Sequence, residues 1–202
     1  GMGIAYKYPI NSYESIEPVL QIGADGTEID VQMTKDTVLV AFHAHYLEEV
    51  SSCSGIINQK LWSQLGSCVY NSPLSSHIYL MAVDHIFSRI QSIADFTFVL
   101  DCKLYSDTNN ASYQNRFANA ILSILTKYKI EKNVFIESSD TSFLWLLKKK
   151  NPDLKLFLYS SVPSKALVLV NKMDLYGITI SNEYITKEDI AKTESAVLAR
   201  RM

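Results

Sequence analysis

Apolar positions along the chain fall into two alternating patterns, short β-branched runs and longer stretches with helical spacing. GIAYKY (3–8) predicts a strand, and NSYESIEPVLQIG (11–23) predicts a helix. Asn11 is the expected N-cap of that helix, Glu14 stands three residues on, and Gly23 is the expected stop. Pro18 lies inside it and removes a helical hydrogen bond. TEIDVQM (27–33) and DTVLVAF (36–42) predict two strands joined by a short polar turn, a hairpin-like excursion. Residues 46–80 show polar clusters and little periodicity, which predicts a loop-rich insertion with a short helix near NQKLWSQL (58–65).

From there the alternation is regular. Helices are expected at 81–93, 115–128, 141–151, 163–173 and 186–201, with strands at 96–104, 133–138, 154–160 and 176–181. Pro163 suits a helix start, and Thr186 with Glu188 and Asp189 opens the last one. Strands that are apolar throughout, alternating with helices, indicate a parallel sheet covered by helices. Six such units read as a single domain over residues 1–202. On pattern alone, a doubly wound sheet and a barrel both satisfy it.

Composition narrows the class. The chain has 202 residues, 48% hydrophobic and 20% charged, with net charge −2, which is globular and large enough for one sizeable core. That balance, with no basic stripe interleaved with aromatics, argues against nucleic acid as a partner. No apolar run reaches the roughly 18 residues of a transmembrane helix. Gly1-Met2 reads as a remnant ahead of the natural start, which leaves a cytoplasmic protein and an exported one with its leader removed both open. Cys53, Cys68 and Cys102 lack metal-site spacing, and free, partly buried thiols are expected over a Cys53–Cys68 disulfide. No glycine-rich nucleotide loop follows any strand.

Chemistry concentrates on two strands. Residues two apart share a face, so Glu28 and Asp30 point the same way. Taken alone, the pair is more simply the solvated face of an edge strand. If the face is interior, a hard divalent cation such as Ca²⁺ or Mg²⁺ offsets the cost of burying both charges. Asp101 and Lys103 repeat the spacing in a strand otherwise too apolar to be exposed, and a buried ion pair would also explain them. Together the two pairs specify a cation beside a fixed ammonium, a set suited to a phosphate. His43 ends the run after the first pair and is placed to act as acid or base, whereas His45, His77 and His85 read as solvated.

These residues resemble the glycerophosphodiester phosphodiesterase family. GADGTEIDVQMTKD (23–36) matches the family's Gly-Ala-Asp-x-x-Glu-x-Asp-Val and Thr-x-Asp without gaps. PINS (9–12) is similar to its Pro-Glu-Asn-Thr helix start, FHAH (42–45) to its His-Asp, LDCK (100–103) to its acid-x-Lys strand, and VFIESSD (134–140) to the strand after it. The resemblance implies a TIM-type (β/α)8 barrel, apparently two strands short at the C-terminus; a longer parent sequence, a second copy of the chain covering the open edge, and a degenerate domain each account for that. It also implies metal-dependent hydrolysis of a small phosphodiester to glycerol phosphate and an alcohol. Carried over by position, Glu28, Asp30 and Asp101 are metal ligands, Lys103 and Lys7 face the phosphate, and His43 is one of two catalytic histidines. Tyr6, Ile10 and Ala44 depart from the family, standing where its first histidine, the Glu of the helix start and the Asp after the second histidine occur. Those departures imply, as the alternative, a non-catalytic relative that binds a phosphorylated ligand or serves as an interaction domain.

Overall fold

The computed structural model describes residues 3–4, 7–72, 77–105, 111–181 and 183–191. Two compact units divide at residue 136. In the first unit the strands are β1 (Gly26–Met33), β2 (Leu39–Ala41), β3 (Met81–Ala82), β4 (Thr97–Cys102) and β5 (Val134–Ser138), the last of which leads into the second unit. Their spatial order is β3-β2-β1-β4-β5. β1 pairs antiparallel with β2, completing the expected hairpin, and parallel with β4. Helices α1 (Tyr13–Gln21), α2 (Trp62–Leu65), α3 (Val83–Arg89) and α4 (Ala111–Tyr128) complete this unit.

β1 and β4 are the central pair, and their apolar residues explain it. Ile29, Val31, Phe98 and Leu100 are fully buried, on the strand face opposite Glu28 and Asp30 in the case of the two β1 residues. Their register begins at Gly26 opposite Thr97. A Cβ on Gly26 would stand 1.8 Å from the Thr97 carbonyl oxygen, so only glycine permits this backbone approach. From that start the register runs on to set Asp30 opposite Asp101.

The segment 3–8 corrects the expected strand. Its described residues form turns, with the Ile4 amide donating to the Ser15 carbonyl and the Lys7 and Tyr8 amides to the Ile4 carbonyl. Amides tied to a helix turn and to each other leave nothing for a ladder. Residues 5 and 6, Tyr6 included, lie outside the described residues. The cap of α1 is also Ser12 rather than Asn11: the Ser12 hydroxyl accepts from the Ser15 amide at 3.2 Å. Pro18 is accommodated within α1, which ends at Gln21 before Gly23 at φ 101°. The expected 81–93 helix is shorter, because residues 81–82 pair with β2 as β3 and α3 stops at Arg89.

The described residues of 46–80 form the excursion, built of single turns, α2 and isolated bridges. Its own small core gathers Leu47, Ile57, Leu65, Tyr70, Ile78 and Leu80 against Val40 and Phe42 of the hairpin. Cys53 and Cys68 are joined by a disulfide here, correcting the expectation of free thiols for that pair, while Cys102 is a buried thiol outside any disulfide. A segment with few regular hydrogen bonds and a small core gains most from a cross-link that restricts its unfolded ensemble.

The second unit pairs β6 (Lys155–Tyr159) parallel with β7 (Gly177–Thr179), flanked by α5 (Thr141–Lys150) and α6 (Pro163–Met173). Asp140 caps α5 through the Phe143 amide at 3.0 Å, and Pro163 opens α6 as expected. Thr186 caps the helical residues 187–191 through the Asp189 amide, and the remainder of the expected 186–201 helix lies outside the described residues.

The cross-link closes a sequence separation of 15. Replacing Cys53 and Cys68 with serine together is expected to cost about 3 kcal/mol of unfolding free energy, the chain-entropy value for a loop of this size. Denaturant titration of the variant against the oxidised wild type measures it.

Candidate active site

The paired strands place three carboxylates together. One oxygen from each of Glu28, Asp30 and Asp101 lies within 4.8 Å of the others. Asp30 and Asp101 are direct cross-strand neighbours, an arrangement of like charges that destabilises a sheet unless something opposes it. Lys103 does so. Its ammonium lies 3.3 Å from Asp30 Oδ1 and donates a hydrogen bond to Asp101 Oδ2.

Burial and mutual repulsion set the electrostatics. Burial raises the Glu28 carboxyl above its ordinary value, and neighbouring Asp30 and Asp101 raise it further. Burial likewise raises Asp101, opposed by its hydrogen bond and ion pair with Lys103 and assisted by Asp30; the His43 imidazole is close enough to lower it. Lys103 would be pulled down by burial, but Asp101 and Asp30 hold it above its ordinary value.

Asn11 is a site residue that pattern reading misassigned. It is fully buried at φ 62°, with its side-chain amide donating to Asp30 Oδ2 at 2.8 Å and its side-chain carbonyl accepting from the Asp30 amide at 3.0 Å. Asparagine tolerates this left-handed backbone better than most residues, and its amide offers a donor and an acceptor side by side. The two bonds fix both the strand and the carboxylate of Asp30.

Gln32 was also missed. It follows Glu28 and Asp30 on the same face and is buried. Its amide donates to the carbonyls of Phe42, at 3.0 Å, and Ala44, at 2.8 Å. The backbone on either side of His43 is thereby held from beneath, while the His43 side chain itself is exposed. The polar third position of E-x-D-x-Q was the available signal.

The other candidates are placed as follows. Lys7 is exposed, with its ammonium 5.2 Å from the Tyr8 ring centroid. Ile10 is half-buried ahead of α1, and Ala44 is buried in the excursion core, where its carbonyl serves Gln32. His45 is stacked between Tyr46 and Tyr105, with ring centroids 4.4 and 4.5 Å away. His77 and His85 are exposed.

The cluster can act on an anion through Lys103, move a proton through His43, and hold a cation among three oxygen ligands. Residues 3–194 match the family model described as the glycerophosphoryl diester phosphodiesterase family. The chain belongs to that family. A curated glycerophosphodiester phosphodiesterase of Caldanaerobacter subterraneus is 22% identical over 177 residues, covering 87% of this chain and 72% of its relative. One from Bacillus altitudinis is 22% identical over 181 residues, covering 88% and 69%. Among solved structures, an Oleispira antarctica phosphodiesterase in complex with the product sn-glycerol-3-phosphate superposes with a TM-score of 0.82 at 18% identity, covering 96% of this chain and 78% of that one. The fold class is therefore that of the family, a TIM-type α/β barrel, incomplete among the described residues.

Two outcomes follow for stability. Removing the Asn11 amide takes away the bonds to Asp30 Oδ2 and from the buried Asp30 amide, so Asn11→Ala is expected to cost about 1–3 kcal/mol, read by chemical denaturation. For Glu28 and Asp101 the folded chain binds protons more tightly than the unfolded chain. In metal-free buffer this share of the stability is present at low pH and declines as the pH rises past the ordinary values of 4.5 and 3.8 towards the raised ones. Urea titrations across that range should show the decline, and Glu28→Gln should flatten it.

Proposed function

We propose that the protein hydrolyses glycerophosphodiesters to glycerol phosphate and an alcohol with the help of a divalent cation. The observation that carries this reading is the convergence of Glu28, Asp30 and Asp101 on one point, with Lys103 paired to two of them and His43 within electrostatic reach of Asp101. Three carboxylates and one ammonium sum to −2, and burial makes that charge costly, so the donor set fits one hard divalent ion such as Ca²⁺ or Mg²⁺. Glu28, Asp30 and Asp101 would hold it. When bound, such an ion supplies Lewis-acid stabilisation of charge on the phosphoryl oxygens.

The chain's own residues account for the rest. Lys103 places a positive charge against the phosphodiester and opposes the charge that builds on it as the new bond forms. A water oxygen bonds to phosphorus, the phosphorus–alkoxide bond breaks, and the alcohol leaves with a proton. His43, exposed beside the carboxylates, is the group for proton transfer in that exchange. Asn11 and Gln32 touch no substrate in this scheme, and their task is to hold Asp30 and the backbone around His43.

A second reading is favoured by one observation. Tyr6 stands where the family has its first histidine, and a phenol near pKa 10 is a poor proton carrier at neutrality. A relative that binds a phosphorylated ligand without turning it over would keep Lys103 and the carboxylates and lose that group.

Activity with glycerophosphodiesters is expected to require Ca²⁺ or Mg²⁺ and to fall by about 10²-fold or more in His43→Ala, and likewise in Lys103→Ala. Glycerol phosphate release, followed with and without chelator, checks both. Tight glycerol phosphate binding by calorimetry with no release at high protein concentration would decide for the second reading. The cation should also raise the melting temperature of the wild type, and Glu28→Gln should reduce that rise.

A further inference from the structure

We propose that Tyr105 is a positioning residue for His43, and this rests on the reading of His43 as the proton-transfer group. Gln32 takes the carbonyls of Phe42 and Ala44 but leaves the carbonyl between them. Tyr105 takes that one: its hydroxyl donates to the His43 carbonyl at 3.2 Å. Three successive carbonyls are then fixed, two by a side chain of β1 and the third by a side chain following β4. The same phenol ring stacks on His45, two residues beyond His43, at 4.5 Å and 22° between planes. Tyr46 also stacks on His45, with ring centroids 4.4 Å apart. His43 is thus flanked by a segment gripped through both backbone and ring.

Tyr105 can do this because it is itself anchored. Two residues earlier, the Lys103 amide donates to the Val31 carbonyl at 2.9 Å, which continues the β1–β4 ladder past the end of the strand. The Tyr105 carbonyl accepts from the Asn58 side-chain amide of the excursion. A hydrogen bond from a half-buried phenol to a peptide oxygen restrains the peptide plane, and through it the direction in which the exposed His43 side chain leaves the backbone. The arrangement also couples Lys103 to His43 over two residues of chain and one side chain. The group that faces the phosphate and the group that moves the proton therefore share a support.

Orientation errors in a proton-transfer group reduce turnover far more than they reduce substrate binding. Tyr105→Phe keeps the ring stack and removes the hydroxyl. It is expected to lower kcat by about 3–10-fold with KM within about twofold, and Tyr105→Ala, which loses the stack as well, by about 10–100-fold. Both variants should melt within a few degrees of the wild type, measured beside the kinetics. The readout that a general structural role would not move is the His43 ring. Its Cε1–H resonance, assigned by its loss in His43→Gln, should shift or broaden in Tyr105→Phe and stay in place in Tyr79→Phe, a change at an exposed tyrosine of the excursion. An unmoved His43 resonance in Tyr105→Phe overturns the proposal, as does a loss of kcat that follows the melting temperature across both variants. If the wild type turns over no glycerophosphodiester, the hydrolase reading fails, and the His43 resonance still decides whether Tyr105 sets that side chain's environment.

Discussion

Asp30 and Asp101 stand directly opposite each other on adjacent parallel strands, and the site is organised around that repulsion. A sheet does not keep two like charges in register without a local reason. The register begins where Gly26 lets the β1 backbone meet Thr97, and the fully buried Ile29, Val31, Phe98 and Leu100 resist a slip. A shift of one residue would turn those side chains outward and the carboxylates inward. Hydrophobic burial thus holds the acids together, and Lys103 and Asn11 make the result tolerable by neutralising and bonding them.

Around this centre further polar groups hold it largely through backbone atoms, Asn11 also bonding the Asp30 carboxylate. Asn11 fixes the amide of Asp30, Gln32 fixes the carbonyls beside His43, and Tyr105 fixes the carbonyl of His43 itself. Asn58 ties the excursion to Tyr105. The excursion, loop-rich and short of regular pairing, is therefore joined to the site by specific bonds as well as by its small apolar core. Loops that carry functional groups need such rigid attachments, because their own backbone supplies little order.

Much of the site could be read from alternation alone. E-x-D and D-x-K each put two charges on one strand face, and the antiparallel turn after the first pair returns the chain to His43, within electrostatic reach of Asp101. The longer helices were legible from their periodicity for the same reason. Asn11 was misread because an asparagine three residues ahead of a glutamate looks like a cap, whereas Ser12 lay one step closer to the helix and took that role. The segment 3–8 reads like a strand, but the amides of Ile4, Lys7 and Tyr8 are spent on a turn and on α1, a tertiary fact that no local pattern carries. Tyr105 left no trace in the pattern, since its partners lie some sixty residues away in the chain. The disulfide was judged from compartment frequencies, which say nothing about whether two particular thiols are brought together by a fold.

That cross-link has a consequence for where the molecule can be made whole. Disulfides persist in secreted and other oxidising settings and are removed by the thiol pools of most cytosols. The segment closed by Cys53 and Cys68 contains Asn58, which supports Tyr105, which in turn grips His43. Oxidant supply during maturation thus bears on the proposed proton-transfer group through three residues. Chains folded under reducing conditions would share the sequence and the acidic centre, and would differ in how firmly the histidine beside it is held.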